Sequence, residues 1–374
     1  MGAIARYGPD RLLWRIVASA RLPGKTCQIA PSARVKNRVD RRSVRGDRAP
    51  SVRGNGRTGY PPSVPPRPVI LDCDPGHDDA LAILLALARP ELHVLGITTV
   101  AGNAGVENTT RNALRVLTLL GRTDVPVAAG AARPLVRPIR VADHVHGVSG
   151  LDGADLPEAA VGSVAEGAVE LLARLVRESP GPVTLVPTGP LTNIALFART
   201  HPELLPRIAE ISIMGGAIGE GNLTASAEFN IWADPEAAAI VFDCGRPVAL
   251  VPLEVTHAAL FRNADIPRLE ALGTQTGRVF ADLLRFFAIF HRERYGWDGS
   301  PIHDAVAVAR LVAPGLVTEV PYRVDVETES ELTRGRTVVD LHGLRGLPPN
   351  VAVGTEIDRP RFIDLLVEAI ARFP

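Results

Sequence analysis

The sequence predicts an α/β protein with an open, mostly parallel central sheet and helices on both faces. Three observations lead there. From Val69 onward, short apolar runs of strand length alternate with segments of helical apolar spacing, the pattern of βαβ units. The 374 residues are 46% apolar, enough to bury a large core in one big domain or two smaller ones. The densest acidic cluster follows the first expected strand directly, and open α/β sheets bind ligands at the carboxyl ends of their strands.

The elements are justified in order. Val69-Ile70-Leu71 is a short buried strand, and Ala80 to Leu87 has helical spacing. His93 to Val100 is a second β-rich run, and Asn108 to Leu120 is a helix closed by Gly121. Val183 to Val186 is a strand, with a helix starting at Pro190. Ile211-Ser212-Ile213 is a strand. Pro235 to Phe242 is a helix after an Asp234 cap, and Val248 to Val251 is a strand. Long helical patterns cover Thr274–Tyr295 and His303–Val312. The stretch from Val320 to Val353 holds shorter strand-like runs separated by Gly, and a last helix spans about Pro360 to Phe373. No internal repeat is present.

Net charge is zero, with 41 basic and 41 acidic residues, but the two signs are segregated. Residues 1–67 carry 15 Lys/Arg and 3 Asp/Glu, a balance of +12; residues 68–374 carry 26 and 38, a balance of −12. An acidic body argues against a nucleic-acid groove, which needs a basic surface. Both lysines, Lys25 and Lys36, precede the body, which excludes Schiff-base and P-loop chemistry there. No apolar run approaches the ~20 residues of a transmembrane helix, so no membrane partner is expected. Cys27, Cys73 and Cys244 form neither a disulfide framework nor a zinc knuckle, and a cytoplasmic setting is expected. The Arg- and Pro-rich residues 1–67, ending in Tyr60-Pro61-Pro62-Ser63-Val64-Pro65-Pro66, are expected to be a disordered extension. Their apolar stretch Leu12-Leu13-Trp14 is broken at once by Arg15, a poor signal-peptide core.

The chemistry concentrates in Asp72-Cys73-Asp74-Pro75-Gly76-His77-Asp78-Asp79, four carboxylates in eight residues. Such crowding is costly unless a cation neutralises it. Helix capping accounts for one or two acids but not four. With oxygen ligands and no convergent His/Cys set, the cation should be hard, Ca²⁺ or Mg²⁺. An Asp-nucleophile phosphatase would place Asp72 as nucleophile with Mg²⁺ on the phosphate, but such enzymes add a lysine that this body lacks.

The stretch Val69 to Leu81 resembles the signature of the inosine–uridine-preferring nucleoside hydrolases, and the resemblance covers residues 68–374, one catalytic domain. Further motifs agree in order: Val100-Ala101-Gly102-Asn103, His146-Gly147-x-Ser149-Gly150-Leu151-Asp152-Gly153, Pro187-Thr188-Gly189-Pro190-Leu191-Thr192-Asn193, Met214-Gly215-Gly216 leading to Gly221-Asn222, Glu228-Phe229-Asn230, Asp234-Pro235-Glu236-Ala237 and Pro301-x-His303-Asp304-Ala305. Most adjoin an expected strand end, so they can converge on one crevice.

The resemblance implies calcium-dependent hydrolysis of the N-glycosidic bond of ribonucleosides, releasing base and ribose through a transition state of oxocarbenium character. It places Asp74, Asp79, Asp304 and the carbonyl of Thr188 as calcium ligands, with Asp74 also the general base for the attacking water. Asp78 is expected on the ribose 2′-hydroxyl, and Asn103, Asn222, Glu228 and Asn230 on the 3′- and 5′-hydroxyls, with Met214 beside them. Asp72 is expected to orient the loop, Asn193 to order a turn, and His77 to point away or orient an Asp. His303 is the candidate acid for the leaving base, and His146 the second candidate. His291 and Tyr295 lie one helical turn apart, with Phe287 extending the face, and are expected at the base. A core-facing aromatic stripe is the alternative. Two departures stand out: Ala225 where relatives usually have a proline, and His291 where some carry Tyr or Gln. Besides the ribonucleoside, the expected partner is a second copy of the chain, as dimer or tetramer. A non-catalytic ribonucleoside-binding protein is disfavoured because Asp74, Asp79 and Asp304 are all present.

Overall fold

The computed structural model describes residues 65–374. The expected basic extension lies outside the described residues save for its last three.

β1 (Arg67–Cys73) is followed by α1 (His77–Ala88), β2 (Leu92–Thr99), α2 (Val106–Leu119) and β3 (Val127–Ala129). Next come α3 (Asp143–His146), α4 (Ala168–Glu178), β4 (Val183–Pro187), α5 (Thr192–Thr200), β5 (Ile208–Met214), α6 (Phe229–Ala233), α7 (Pro235–Phe242) and β6 (Val248–Val251). The remainder is α8 (Leu253–Thr256), β7 (Leu260–Arg262), α9 (Ile266–Glu270), α10 (Gln275–Tyr295), β8 (Gly299–Pro301), α11 (Asp304–Val312), β9 (Val317–Val326), β10 (Thr337–Asp340), β11 (Val351–Ile357) and α12 (Arg359–Ile370).

The main sheet has the order β10-β9-β11-β6-β5-β4-β1-β2-β3. All neighbours from β11 to β3 are parallel, and β9 and β10 close the edge antiparallel. The chain therefore starts in the middle, winds out through β2 and β3, and returns to the other side of β1 at β4. That reversal leaves a crevice at the carboxyl ends of β1 and β4, the switch point of a doubly wound sheet.

Alternation along β1 builds both cores. Val69, Leu71 and Cys73 pack into the layer that contains Leu81 of α1, Phe280 of α10, Val306 of α11 and Phe362 of α12. Ile70 faces the opposite layer, with Leu171 of α4, Phe197 of α5 and Val241 of α7. Helices on both faces explain why these strands are nearly continuous apolar runs.

The expected caps form. Asp234 accepts from Ala237 N at 3.1 Å to open α7, and Gly121, at φ 63°, closes α2 in the left-handed conformation that favours glycine. The helix after β4 begins at Thr192 rather than Pro190, because Thr188 to Leu191 are spent turning from the strand into the crevice. Sequence periodicity missed β3, three residues long, and α4, whose Gly167 N-cap supplies no side-chain hydrogen bond. No helix among the described residues is long and apolar enough to cross a membrane.

Candidate active site

The carboxyl end of β1 turns into α1 through Asp74 to Gly76, and this turn forms the floor of the crevice. Asp79 lies in the first turn of α1, where the helix dipole and the amide of Gly76 favour a carboxylate. Its Oδ2 accepts from Gly76 N at 2.9 Å and Asn103 Nδ2 at 3.2 Å, and its Oδ1 accepts from Thr188 Oγ1 at 2.7 Å. Asp74 Oδ2 accepts from Asn103 N at 2.7 Å, while Asp74 Oδ1 is buried without a hydrogen-bond partner among the described residues. Glycine is required beside it: a Cβ on Gly102 would lie 2.1 Å from Asp74 Oδ2, and one on Gly189 2.6 Å from Oδ1.

Asp304 opens α11 and brings a third element to the same point. Ligand oxygens of Asp78, Asp79 and Asp304 all lie within 4.8 Å of one another, each residue buried. Asp78 thus stands inside the tight carboxylate group, and Asp74 flanks it. Burial pushes all four carboxyls up, Asp78 to about 7; neighbouring negative charges push Asp74, Asp78 and Asp304 the same way, while hydrogen bonds from Gly76 and Thr188 pull Asp79 back. One buried oxygen beside the group, Asp74 Oδ1, has no donor among the described residues, and a hard cation with oxygen ligands would satisfy it. The Thr188 carbonyl points into the same region and accepts from Asn230 Nδ2 at 2.7 Å.

Asp72 stays out of the crevice. Fully buried, it accepts from Thr98 Oγ1 at 2.6 Å and Asn193 Nδ2 at 2.7 Å, and burial raises its pKa to about 7. Asn193 also donates to Thr99 O at 3.0 Å and accepts from Ala131 N at 2.9 Å, tying three strand ends together. An Asp72 nucleophile, as a phosphatase would need, has no access to substrate.

Above the floor the cleft encloses about 730 Å³ including its open mouth, a size suited to a small ligand. Asp78, Asn103, Asn222, Glu228, Asn230 and Met214 line one end of this wall, and His146, His291, Tyr295 and His303 line it as well. Glu228 caps α6, accepting from Asn230 N at 2.8 Å, Ile231 N at 3.1 Å and Gly216 N at 2.9 Å. Burial nevertheless lifts its pKa to about 7. Asn222 Oδ1 accepts from Phe229 N at 2.9 Å, and Gly221 N donates to Ala225 O at 3.3 Å. The loop bearing Ala225 is therefore pinned by its own hydrogen bonds.

His303 Nδ1 lies 2.7 Å from Thr256 Oγ1. Burial, with His257 and His291 nearby, holds the imidazole well below the usual histidine range, so it stands neutral near pH 7. His77 does point away from the acids: its Nε2 meets Asp152 O at 2.8 Å and its Nδ1 meets His146 Nδ1 at 3.1 Å. It joins the acidic turn to the His146–Gly153 loop. Phe287, His291 and Tyr295 share one face of α10 and all border the cleft.

The cleft also holds residues that were not read from the sequence, among them His257, Phe290 and Trp297, and Thr256 stands behind it as the partner of His303. His257 follows β6 within six residues, so the strand-end rule that located the other motifs also reaches it. Trp297 had no such signal. Gly296, at φ 71°, reverses the chain after α10, and Trp297 N returns to His291 O at 3.4 Å. Its ring stacks on Tyr295 at 4.6 Å between centroids and on His291 at 6.0 Å.

Residues 69–364 match the family model of the inosine-uridine preferring nucleoside hydrolases. The chain is 52% identical over 307 residues to the pyrimidine-specific ribonucleoside hydrolase RihA of Enterobacter sp. (strain 638), covering 82% of this chain and 98% of that protein. It is 52% identical over 306 residues to the protein of the same name from Shewanella sp. (strain ANA-3), covering 82% and 96%. Among solved structures, the purine-preferring ribonucleoside hydrolase from Gardnerella vaginalis superposes with a TM-score of 0.77 at 35% identity, covering 82% of this chain and 98% of that one. A plant nucleoside hydrolase, PpNRh1, superposes at 0.76 with 36% identity, covering 82% and 99%. The match spans β1 to α12, and the acidic turn, the Asn222–Asn230 wall and Asp304 all fall inside it, so the chain belongs to the inosine-uridine preferring nucleoside hydrolase family and is an enzyme that cleaves the N-glycosidic bond of ribonucleosides.

Proposed function

We propose that this enzyme hydrolyses pyrimidine ribonucleosides with the help of one Ca²⁺, held by Asp74, Asp79, Asp304 and the Thr188 carbonyl. The observation that carries the reading is the orphaned, buried Asp74 Oδ1 beside a carboxylate group that no Lys or Arg among the described residues pairs with. Bound there, calcium supplies the charge that acidifies a neighbouring water and orients the ribose diol.

The chain's own groups do the rest. Asn103 N fixes Asp74 through Oδ2, which leaves Oδ1 to take the proton of the attacking water. Asp78 receives the ribose 2′-hydroxyl, and Asn103, Asn222, Glu228 and Asn230 receive the 3′- and 5′-hydroxyls. Held in this way, the sugar meets the water in one geometry, which removes most of the entropic part of the barrier. The Glu228 carboxylate, when ionised, favours positive charge developing on the ring. At the leaving base, His303 acts through its imidazolium form: Nδ1–H donates to Thr256 Oγ1, Nε2 gives its proton to the departing base, and the ring returns to the neutral state that burial favours. His146, paired with His77, is the second donor. The panel of His291, Tyr295 and Trp297 offers the base a stacking face.

The pyrimidine preference follows the 52%-identical relatives named for it, against 35% for the purine-preferring structure. A catalytic domain of 68–374, Ca²⁺ as the ion and a homo-oligomer belong to the same reading. The test is to incubate the protein with uridine, cytidine, inosine and adenosine, with calcium and with chelator, and follow ribose release. Turnover of uridine and cytidine well above inosine, abolished by chelation and restored by Ca²⁺, is expected; equal turnover in chelator overturns the metal assignment.

A further inference from the structure

At α6, two arginines flank one indole, and a third arginine lies near one of them. The guanidinium carbons of Arg140 and Arg334 each lie 5.5 Å from the centre of the Trp232 ring. Arg137 is close enough for its charge to lower the pKa of Arg334, after burial as the larger cause. Arg334 is only 8% exposed. Its Nε is buried without an acceptor, and among the described residues no hydrogen bond or ion pair reaches its guanidinium. Arg137 Nε is likewise buried without an acceptor, its nearest carboxylate oxygen being Glu236 Oε1 at 3.9 Å. The other local acid, Asp234, is already engaged by Leu135 N, Thr192 Oγ1 and Ala237 N.

A buried Nε–H without an acceptor is costly, and like charges beside it add to the cost. Stacking on Trp232 recovers part of this but satisfies no N–H group. The segment is nonetheless held in place: Leu135 N is bonded to Asp234 at 2.9 Å, and a Cβ on Gly335 would lie 2.5 Å from Trp232 Cα. What completes such an array is an acceptor with several oxygens and negative charge, which planar guanidinium groups bind in bidentate fashion.

We propose that Arg140 and Arg334, which flank Trp232, together with the neighbouring Arg137, form a binding site for a small oxyanion of the phosphate class, free or as a phosphate ester. The site stands apart from the carboxylate floor and is built from the segment after β3, from α6 and from the turn between β9 and β10. Because α6 also carries Asn230 and is capped by Glu228, an anion there bears on the helix that lines the cleft.

The test is isothermal titration of the full chain with inorganic phosphate and, separately, with uridine 5′-monophosphate, against chloride at matched ionic strength. One saturable site per chain is expected for at least one of the two, and which one binds distinguishes free phosphate from an ester. Arg334→Gln and Arg137→Gln should each weaken it about tenfold or more, the loss of a charge-assisted hydrogen bond. Arg137 is half-buried on a surface segment, so its variant tests the site even if Arg334→Gln folds poorly. Absence of saturable binding over chloride overturns the proposal, because water alone then completes the arginines. Binding that Arg137→Gln leaves unchanged overturns it too, because the anion then sits elsewhere.

Discussion

Thr188 donates its hydroxyl to Asp79 Oδ1 at 2.7 Å, across 109 residues of sequence. The bond joins the end of β4 to the first turn of α1, the two elements that bound the switch-point crevice. It also fixes the orientation of the Asp79 carboxylate, so a threonine outside the charged set governs how the charged set is aimed.

Thr188→Val should therefore weaken calcium binding by about 10–100-fold, the usual cost of losing a group that orients a metal ligand. Thr188→Ser should restore it, since the carbonyl and the hydroxyl both remain. Calcium titration of the three proteins checks this, and equal affinity for the Val variant would show that the hydroxyl has no orienting role.

Asp79→Ala should abolish bound calcium and nucleoside turnover together, by more than the ~100-fold of an outer-group change. Metal analysis of the purified variant decides the matter. Stoichiometric calcium in that protein would sink the ligand set.

His303→Ala should slow uridine hydrolysis by ~10²-fold or more, the usual worth of a general acid. A nucleoside analogue with a good leaving group, such as nitrophenyl riboside, should be nearly untouched. If both substrates slow alike, the side chain shapes the cleft and does not supply the proton. His146→Ala, showing the split in its place, would move the role to the loop.

Glu228 gives a pH signature. Its pKa rises from 4.5 to about 7 on burial in the fold, so between those values the native state binds the proton that the unfolded chain has released. Stability then falls as pH climbs through that window, and this group accounts for about 3 kcal/mol of the fall. Denaturant unfolding at pH 4.5 and pH 7.5 should show a shallower decline for Glu228→Gln than for the wild type. The readout is the slope, because the glutamine amide also disturbs the three backbone donors. Parallel slopes would mean that Glu228 stays ionised throughout.

A chain starting at Pro66 should fold and turn over nucleosides like the full protein. Among the described residues, the backbone hydrogen bonds begin one residue later, with Arg67 N donating to Glu91 O at 2.9 Å. Loss of soluble expression on truncation would count against the assigned boundary.

The sequence by itself determined the alternation of strands and helices, the caps at Asp234 and Gly121, and the acidic turn after β1. Those features are local: periodicity, propensity and a single turn of helix suffice to encode them. It also determined the motifs that identify the family, because most of them adjoin a strand end, and strand ends of one parallel sheet share an edge. The tertiary structure decided what depends on distance and desolvation. Asp72 and Asp74 are two residues apart, yet one is sealed between Thr98 and Asn193 while the other borders the crevice. Strand alternation alone does not say which neighbours fill the space around each. The neutral state of His303 comes from burial beside His257 and His291, and Thr256 at its Nδ1 comes from another element altogether. Trp297 enters the wall only because Gly296 turns the chain back, and the arginines near Trp232 come from two segments far apart in sequence, the one after β3 and the turn between β9 and β10. A charge state or a wall assembled from distant segments has no signature in any one stretch of sequence, because its energy is set by what packing excludes from water.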